Sequence, residues 1–170
     1  AMEDAQPLEI KTATIADTAA VDQLLAVSYP VLLKPDYPPS MLVTALPLIC
    51  RAQPRLLSSG SYFVAHVGDQ AVAAGGWSWN GPQGGVGPWD MVHVRREVTH
   101  PKEVRRGYGR ALMAHVLGTA LAAGACRIDC MSTLTAVPFY AACGFEEVGP
   151  VEITLQPGIT FSAVRMQREI

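Results

Sequence analysis

Val104-Arg105-Arg106-Gly107-Tyr108-Gly109-Arg110 stands between a β-rich run and a segment whose apolar residues Leu112, Val116, Ala120 and Ala123 keep helical spacing. Such a turn at a helix start aims several unpaired backbone N–H groups at one point, and the positive end of the helix dipole adds to their pull on an anion. Glycine at positions 107 and 109 permits backbone angles and close approaches that a side chain would prevent. The stretch therefore reads as a cradle for a phosphate or diphosphate, with Val104, Arg105, Arg106, Gly107, Tyr108, Gly109 and Arg110 as its candidate binding residues. A Walker loop needs Lys-Ser or Lys-Thr after the last glycine, where this chain has Arg110-Ala111. A dinucleotide fingerprint needs a third glycine where Leu112 stands.

Outward from the cradle, the spacing predicts a strand over Met91 to Thr99 before it, then a helix over Gly109 to Ala123, a strand over Arg127 to Met131, and a short helix from Ala136 to Cys143 closed by Gly144. Phe145 to Leu155 and Thr160 to Gln167 supply two closing strands around a turn at Pro157-Gly158. Toward the N-terminus, Tyr62 to Val67 and Ala71 to Trp79 form a hairpin about Gly68-Asp69-Gln70, and Asn80 to Pro88 is a glycine-rich loop. Leu8 to Thr12 is a first strand, and Thr14 to Asp17 is a capping box for a helix expected to end near Tyr29-Pro30. Ser40 caps a second helix through Ile49, with Pro47 as its candidate kink.

The order is thus mixed α/β, with a strand, turn and helix at its centre, and the spacing marks about six or seven strands and four helices. Residues 1–7 read as a tag remnant and flexible N-terminus, and residues 8–170 as one domain, which suits 170 residues with 49% hydrophobic content. A formal charge of -2 gives no basic field for nucleic acid or an anionic membrane, and no apolar run approaches the roughly 20 residues of a membrane span. Cys50, Cys126, Cys130 and Cys143 have no spacing that builds a metal site, so free thiols, no metal and a cytoplasmic location are expected. Apolar residues between Met41 and Leu57 could cover a second copy in a homodimer.

The cradle resembles the coenzyme A turn of the GNAT N-acetyltransferase superfamily, Arg/Gln-x-x-Gly-x-Gly/Ala, with Val104 in the first place. Thr135-Ala136-Val137-Pro138-Phe139-Tyr140-Ala141-Ala142-Cys143-Gly144-Phe145 resembles the family's Asn-x-x-x-x-Phe-Tyr-x-x-x-Gly-Phe segment, with Thr135 in place of asparagine, and Thr99-His100-Pro101 resembles its Val-His-Pro stretch. The likeness runs from Leu8 to Met166. It implies a mixed, mainly antiparallel, twisted sheet of about six or seven strands flanked by four helices, acetyl-coenzyme A as co-substrate, a small amine as acceptor, and a fourth and fifth strand that splay apart around the pantetheine arm. That arm would pair with backbone at Glu97, Val98 and Thr99, with Thr135 and Phe139 also at the cofactor.

Acetyl transfer to an amine needs a base, a donor to the developing oxyanion, and a proton for the departing thiolate. Period-2 alternation puts Val92, Val94 and Val98 on one face of the central strand and Met91, His93, Arg95, Glu97 and Thr99 on the other. Counting back from Thr99, as the resemblance implies, makes His93 the first candidate for the base and Glu97 the second. Tyr140 matches the family's general acid, and a backbone N–H near Glu97 or Val98 would hold the oxyanion. Arg95, Trp77 and Trp79 are candidates for the acceptor pocket. The alternative is an acyl-coenzyme A-binding module that has lost catalysis and serves as a sensor or interaction subunit; transfer of a longer acyl group is a third option.

Overall fold

In the computed structural model, residues 6–81 and 89–170 are described; residues 1–5, within the expected tag remnant, and 82–88, most of the expected glycine loop, lie outside them. Among the described residues, seven strands form one sheet in the order β1-β2-β3-β4-β5-β7-β6. They are β1 (Leu8–Thr12), β2 (Tyr62–Val67), β3 (Gln70–Ser78), β4 (Met91–Thr99), β5 (Arg127–Thr133), β6 (Glu146–Gln156) and β7 (Ile159–Glu169). Every neighbouring pair is antiparallel except β4 and β5. The helices are α1 (Thr18–Leu33), α2 (Pro39–Ile49), α3 (Pro54–Leu57), α4 (Tyr108–Ala122) and α5 (Val137–Ala142).

Two cores cover the two faces of the sheet, as the alternating side chains of half-buried strands require. On one face, Val21, Leu25, Tyr29 and Leu33 of α1 and Leu42, Ala45 and Ile49 of α2 pack on Tyr62, Val64, Ala74 and Phe161. On the other, Leu112, Met113, Val116 and Ala120 of α4 and Tyr140 of α5 pack on Phe63, Ala65, Val92, Val94 and Ile128.

The expected elements form, with four departures. α1 does not end at Tyr29-Pro30 but continues to Leu33 with Pro30 inside it. Proline there forfeits one backbone hydrogen bond, yet Tyr29 and Leu33, one turn apart, are both buried in the core and hold the last turn in place. α2 starts at Pro39, one residue before the expected Ser40 cap, with proline in its first turn, where the missing N–H costs nothing. The four-residue α3 carries no periodic signal in the sequence and makes five α-helices among the described residues, against the four expected.

The fourth departure positions the site. β3 and β4 stay in register from Ser78↔His93 to Gly76↔Arg95, and again at Ala74↔Val98 and Ala73↔Thr99, so β4 holds one extra residue between Arg95 and Val98. Arg96 is left-handed there, with φ 44°. A bulge of this kind reverses the face of every later side chain. Val92 and Val94 therefore join the α4 core while Val98 joins the α1 core, which corrects the expectation that the three share a face. Glu97 and Thr99 do not share a face with His93. Two tyrosine hydroxyls hold the bulge: Tyr62 donates to the Arg96 carbonyl at 2.9 Å and Tyr29 to the Glu97 carbonyl at 3.1 Å. Across from it, a Cβ on Gly75 would lie 3.1 Å from Cγ of Glu97, so glycine there makes room for the carboxylate stem.

Candidate active site

The cradle folds as a run of turns leading into α4. Arg105 and Gly107 are left-handed, with φ 69° and 82°. Gly107 occupies the N-cap of α4 without a side-chain cap, and the helical ladder opens with the Ala111 N–H donating to the Gly107 carbonyl at 3.0 Å. Among the described residues, no amide from Val104 to Arg110 donates a hydrogen bond to the protein. These amides, at the positive end of a 15-residue helix, suit a phosphate or diphosphate. The two glycines serve different needs. A Cβ at Gly107 would meet nothing within 4 Å, so its backbone angle is the requirement; at Gly109 it would lie 2.9 Å from Thr99 Oγ1 and 3.0 Å from Phe139 Cε1, so close packing is.

β4 and β5 pair only over Met91↔Arg127, Val92↔Ile128 and His93↔Asp129. β5 nevertheless continues to Thr133, paired with β7 throughout. Beyond His93 the two parallel strands diverge, and a cavity of about 870 Å³ passes through the gap from the cradle to the α1 face of the sheet. Its lining includes Glu97, Val98, Thr99, Val104, Arg105, Gly107, Tyr108, Gly109, Arg110, Thr135, Phe139 and Tyr140. Arg106 is absent from that lining and instead pairs with Glu103 at 3.2 Å. His100 donates its N–H to Val72 at 2.8 Å, so by the two-residue alternation of an antiparallel ladder the Val98 amide also faces β3 and the Thr99 amide faces the gap.

Two of the ionisable groups that line this cavity can move a proton into it, Glu97 and Tyr140. Oε1 of Glu97 is shut off from solvent and has no hydrogen-bond partner. Burial pushes its carboxyl up to about 8, because the charged form loses hydration with no cation to replace it. Tyr140 is 5% exposed, its ring held edge-on between Phe139 and Phe145 at centroid distances of 5.3 and 5.2 Å. Burial, and after it the nearby Glu97 carboxylate, raise its phenol well above the ordinary 10, so it stays protonated. Among the described residues its hydroxyl has no hydrogen-bond partner, which leaves it free to donate into the cavity.

The other candidates fall on both sides of the boundary. His93 is buried outside the cavity lining, with Nδ1 3.3 Å from Asp129 Oδ2, and that carboxylate also accepts from Arg165 and Gln167. Of the two base candidates, the cavity holds Glu97. Trp77 packs in the α4 core and donates to Thr119 Oγ1 at 3.0 Å; Trp79 stacks edge-on against it, partly exposed, and neither lines the cavity. Arg95 does line it. Thr135 is tied to Asp36 at 2.7 Å. Sequence reasoning missed Tyr29, Gln53 and Arg96, all of which line the cavity. For Arg96 a signal existed, since Gly75-Gly76 inside a strand marks a bulge or a close backbone approach.

Residues 58–147, just over half of the chain, match the acetyltransferase (GNAT) domain, and this span holds β4, the cradle, α4, β5 and α5. The chain belongs to the GNAT acetyltransferase family. No curated protein matches it by sequence. Solved structures share the GNAT fold at low identity. A GCN5-related N-acetyltransferase from Rhodopseudomonas palustris has 17% identity and a TM-score of 0.75, covering 100% of this chain and 99% of that one. The PaiA N-acetyltransferase from Thermoplasma acidophilum, in complex with coenzyme A, has 12% identity and a TM-score of 0.67, covering 96% and 99%. Ard1 from Thermoplasma volcanium has 15% identity and a TM-score of 0.65, covering 96% and 97%. The splayed strands, the bulge and the glycine turn are thus set in a GNAT domain, and no described helix is long and apolar enough to cross a membrane.

Proposed function

We propose that the chain is an acetyl-coenzyme A-dependent N-acetyltransferase acting on a small amine in the cytoplasm. The observation that carries the reading is the unpartnered Glu97 carboxyl and the Tyr140 hydroxyl lining one cavity that runs to the cradle of free amides. The donor supplies a thioester whose carbonyl carbon accepts the amine nitrogen. The amides from Val104 to Arg110 bind its diphosphate, and the Thr99 amide facing the gap gives the pantetheine arm a backbone partner.

An alkyl ammonium of pKa near 10.4 carries no lone pair at neutral pH. Glu97, as the carboxylate, takes one proton from it, and the freed nitrogen forms the new C–N bond. Charge develops on the thioester oxygen, and a backbone N–H of β4 at the bulge near Glu97 is the nominated donor to it. The C–S bond breaks, and Tyr140 donates its hydroxyl proton toward the thiolate sulfur, whose conjugate acid resembles a cysteine thiol at about 8.5. That transfer is uphill from a phenol, so the hydrogen bond to the sulfur carries most of the benefit. The second nitrogen proton, acidic once the C–N bond has formed, leaves through solvent and restores the Tyr140 phenol, and Glu97 returns its own proton to solvent.

The test incubates the protein with acetyl-coenzyme A and a panel of small amines and follows release of free thiol. Amine-dependent release together with acetylated product is expected. Donor binding without thiol release for any amine would overturn the enzyme reading and favour the silent binding module. Propionyl- and butyryl-coenzyme A in the same assay establish which acyl group is moved.

A further inference from the structure

The cavity has two halves with different chemistry. The cradle half presents the free backbone amides; on the α1 face the walls are apolar, with Leu33, Ile49, Ile153 and Phe161 lining them. Into this apolar half the bulge brings two consecutive arginines, Arg95 and Arg96. Among the described residues neither forms an ion pair with a carboxylate. Arg95 is held by neutral acceptors, donating to Ser78 Oγ at 3.0 Å and to Gln53 Oε1 at 2.6 Å. Nε of Arg96 is shut off from solvent and has no partner at all.

A guanidinium left without an anion beside apolar walls is costly, and two in sequence also repel each other. The acids that line the cavity do not relieve them. Glu103 pairs with Arg106 at the cradle end, and Glu97, with its carboxyl near 8, is mostly neutral at pH 7. A plain alkyl ammonium would therefore meet a positive field, whereas an amine that carries its own anion would find two planar, multidentate donors for it.

We infer that the acceptor is a small primary amine bearing a carboxylate and an apolar group, the chemistry of an aliphatic or aromatic amino acid, with Arg96 and Arg95 receiving the carboxylate. The apolar group lies against Ile49, Ile153 and Phe161, and the amine is left facing Glu97. This inference rests on the acetyl-transfer reading of the cavity.

Calorimetric titration of N-acetyl-leucine against N-acetyl-leucinamide, and of the phenylalanine pair, tests it on the free protein and on the protein saturated with coenzyme A. The carboxylate is expected to bind at least tenfold more tightly than the amide in at least one pair. Leucine is likewise expected to be acetylated with at least tenfold higher kcat/KM than leucinamide or 3-methylbutylamine. Arg96→Asn, which suits the left-handed backbone, and Arg95→Gln should each shrink these ratios, with Arg96→Lys recovering part. Equal binding of acid and amide, no binding of either, or ratios unmoved in both arginine variants would overturn the inference. If coenzyme A itself fails to bind, the acetyl-transfer reading falls, while the comparison on the free protein still decides this one.

Discussion

Glu97→Gln is expected to abolish most of the activity and, at alkaline pH, to make the protein more stable. Loss of a general base costs about 10²- to 10⁴-fold in turnover, and glutamine keeps the size of the side chain while removing its basicity. In the wild type, kcat/KM should rise through an inflection near pH 8, where the buried carboxyl ionises; the variant should lack it. Stability moves the other way. A carboxyl with a folded value of about 8 against an ordinary 4.5 binds its proton more tightly in the native state. Its contribution is complete below about pH 4.5 and is lost as pH rises through 8. One pKa unit corresponds to about 1.36 kcal/mol, so with allowance for water in an open cleft the loss is roughly 3 kcal/mol. At roughly 2–4 °C per kcal/mol for a domain of this size, Glu97→Gln should gain roughly 6–12 °C over the wild type between pH 5 and pH 9. Thermal melts at both pH values check it; a variant that loses the same stability with pH as the wild type would remove Glu97 from the role of buried acid.

Tyr140→Phe is expected to lower kcat by about 10- to 10³-fold with stability and donor affinity almost unchanged. The ring contributes packing against Phe139 and Phe145, which phenylalanine preserves, and the hydroxyl makes no hydrogen bond within the described protein that the substitution could break. A residue with only a structural role would show the reverse: full turnover, or a loss that follows a fall in melting temperature. Turnover within twofold of the wild type would exclude Tyr140 as proton donor.

Much of this site is legible in the sequence because backbone chemistry writes its own punctuation. The paired glycines of the cradle, the helical spacing after them and the Phe-Tyr-x-x-x-Gly-Phe segment mark α4 and α5, which pack on the sheet at β4 and at β5 and β6. The capping box at Thr14 forms as read, its N–H donating to Asp17 at 2.8 Å. What stays hidden depends on partners distant in the chain. Period-2 counting cannot register an extra residue in a strand, so the facing of His93 and Glu97 is legible only once β3 shows Gly75-Gly76 opposite Arg96. α1 runs through Pro30 because Tyr29 is anchored to a carbonyl 68 residues away, a contact no local rule contains. The acceptor side is assembled from α1, the segment after α2, the bulge and the closing hairpin, and that is why no contiguous motif announces it.

The central claim is that free amides at the start of α4 hold the donor's diphosphate. Gly107→Asp tests it, since aspartate tolerates left-handed backbone better than most residues and no atom lies within 4 Å of the new Cβ, so the fold should survive while a negative charge enters the cradle. Calorimetric titration with coenzyme A, alongside circular dichroism to verify folding, should show affinity reduced at least a hundredfold. Unchanged affinity in a folded Gly107→Asp protein would contradict the account.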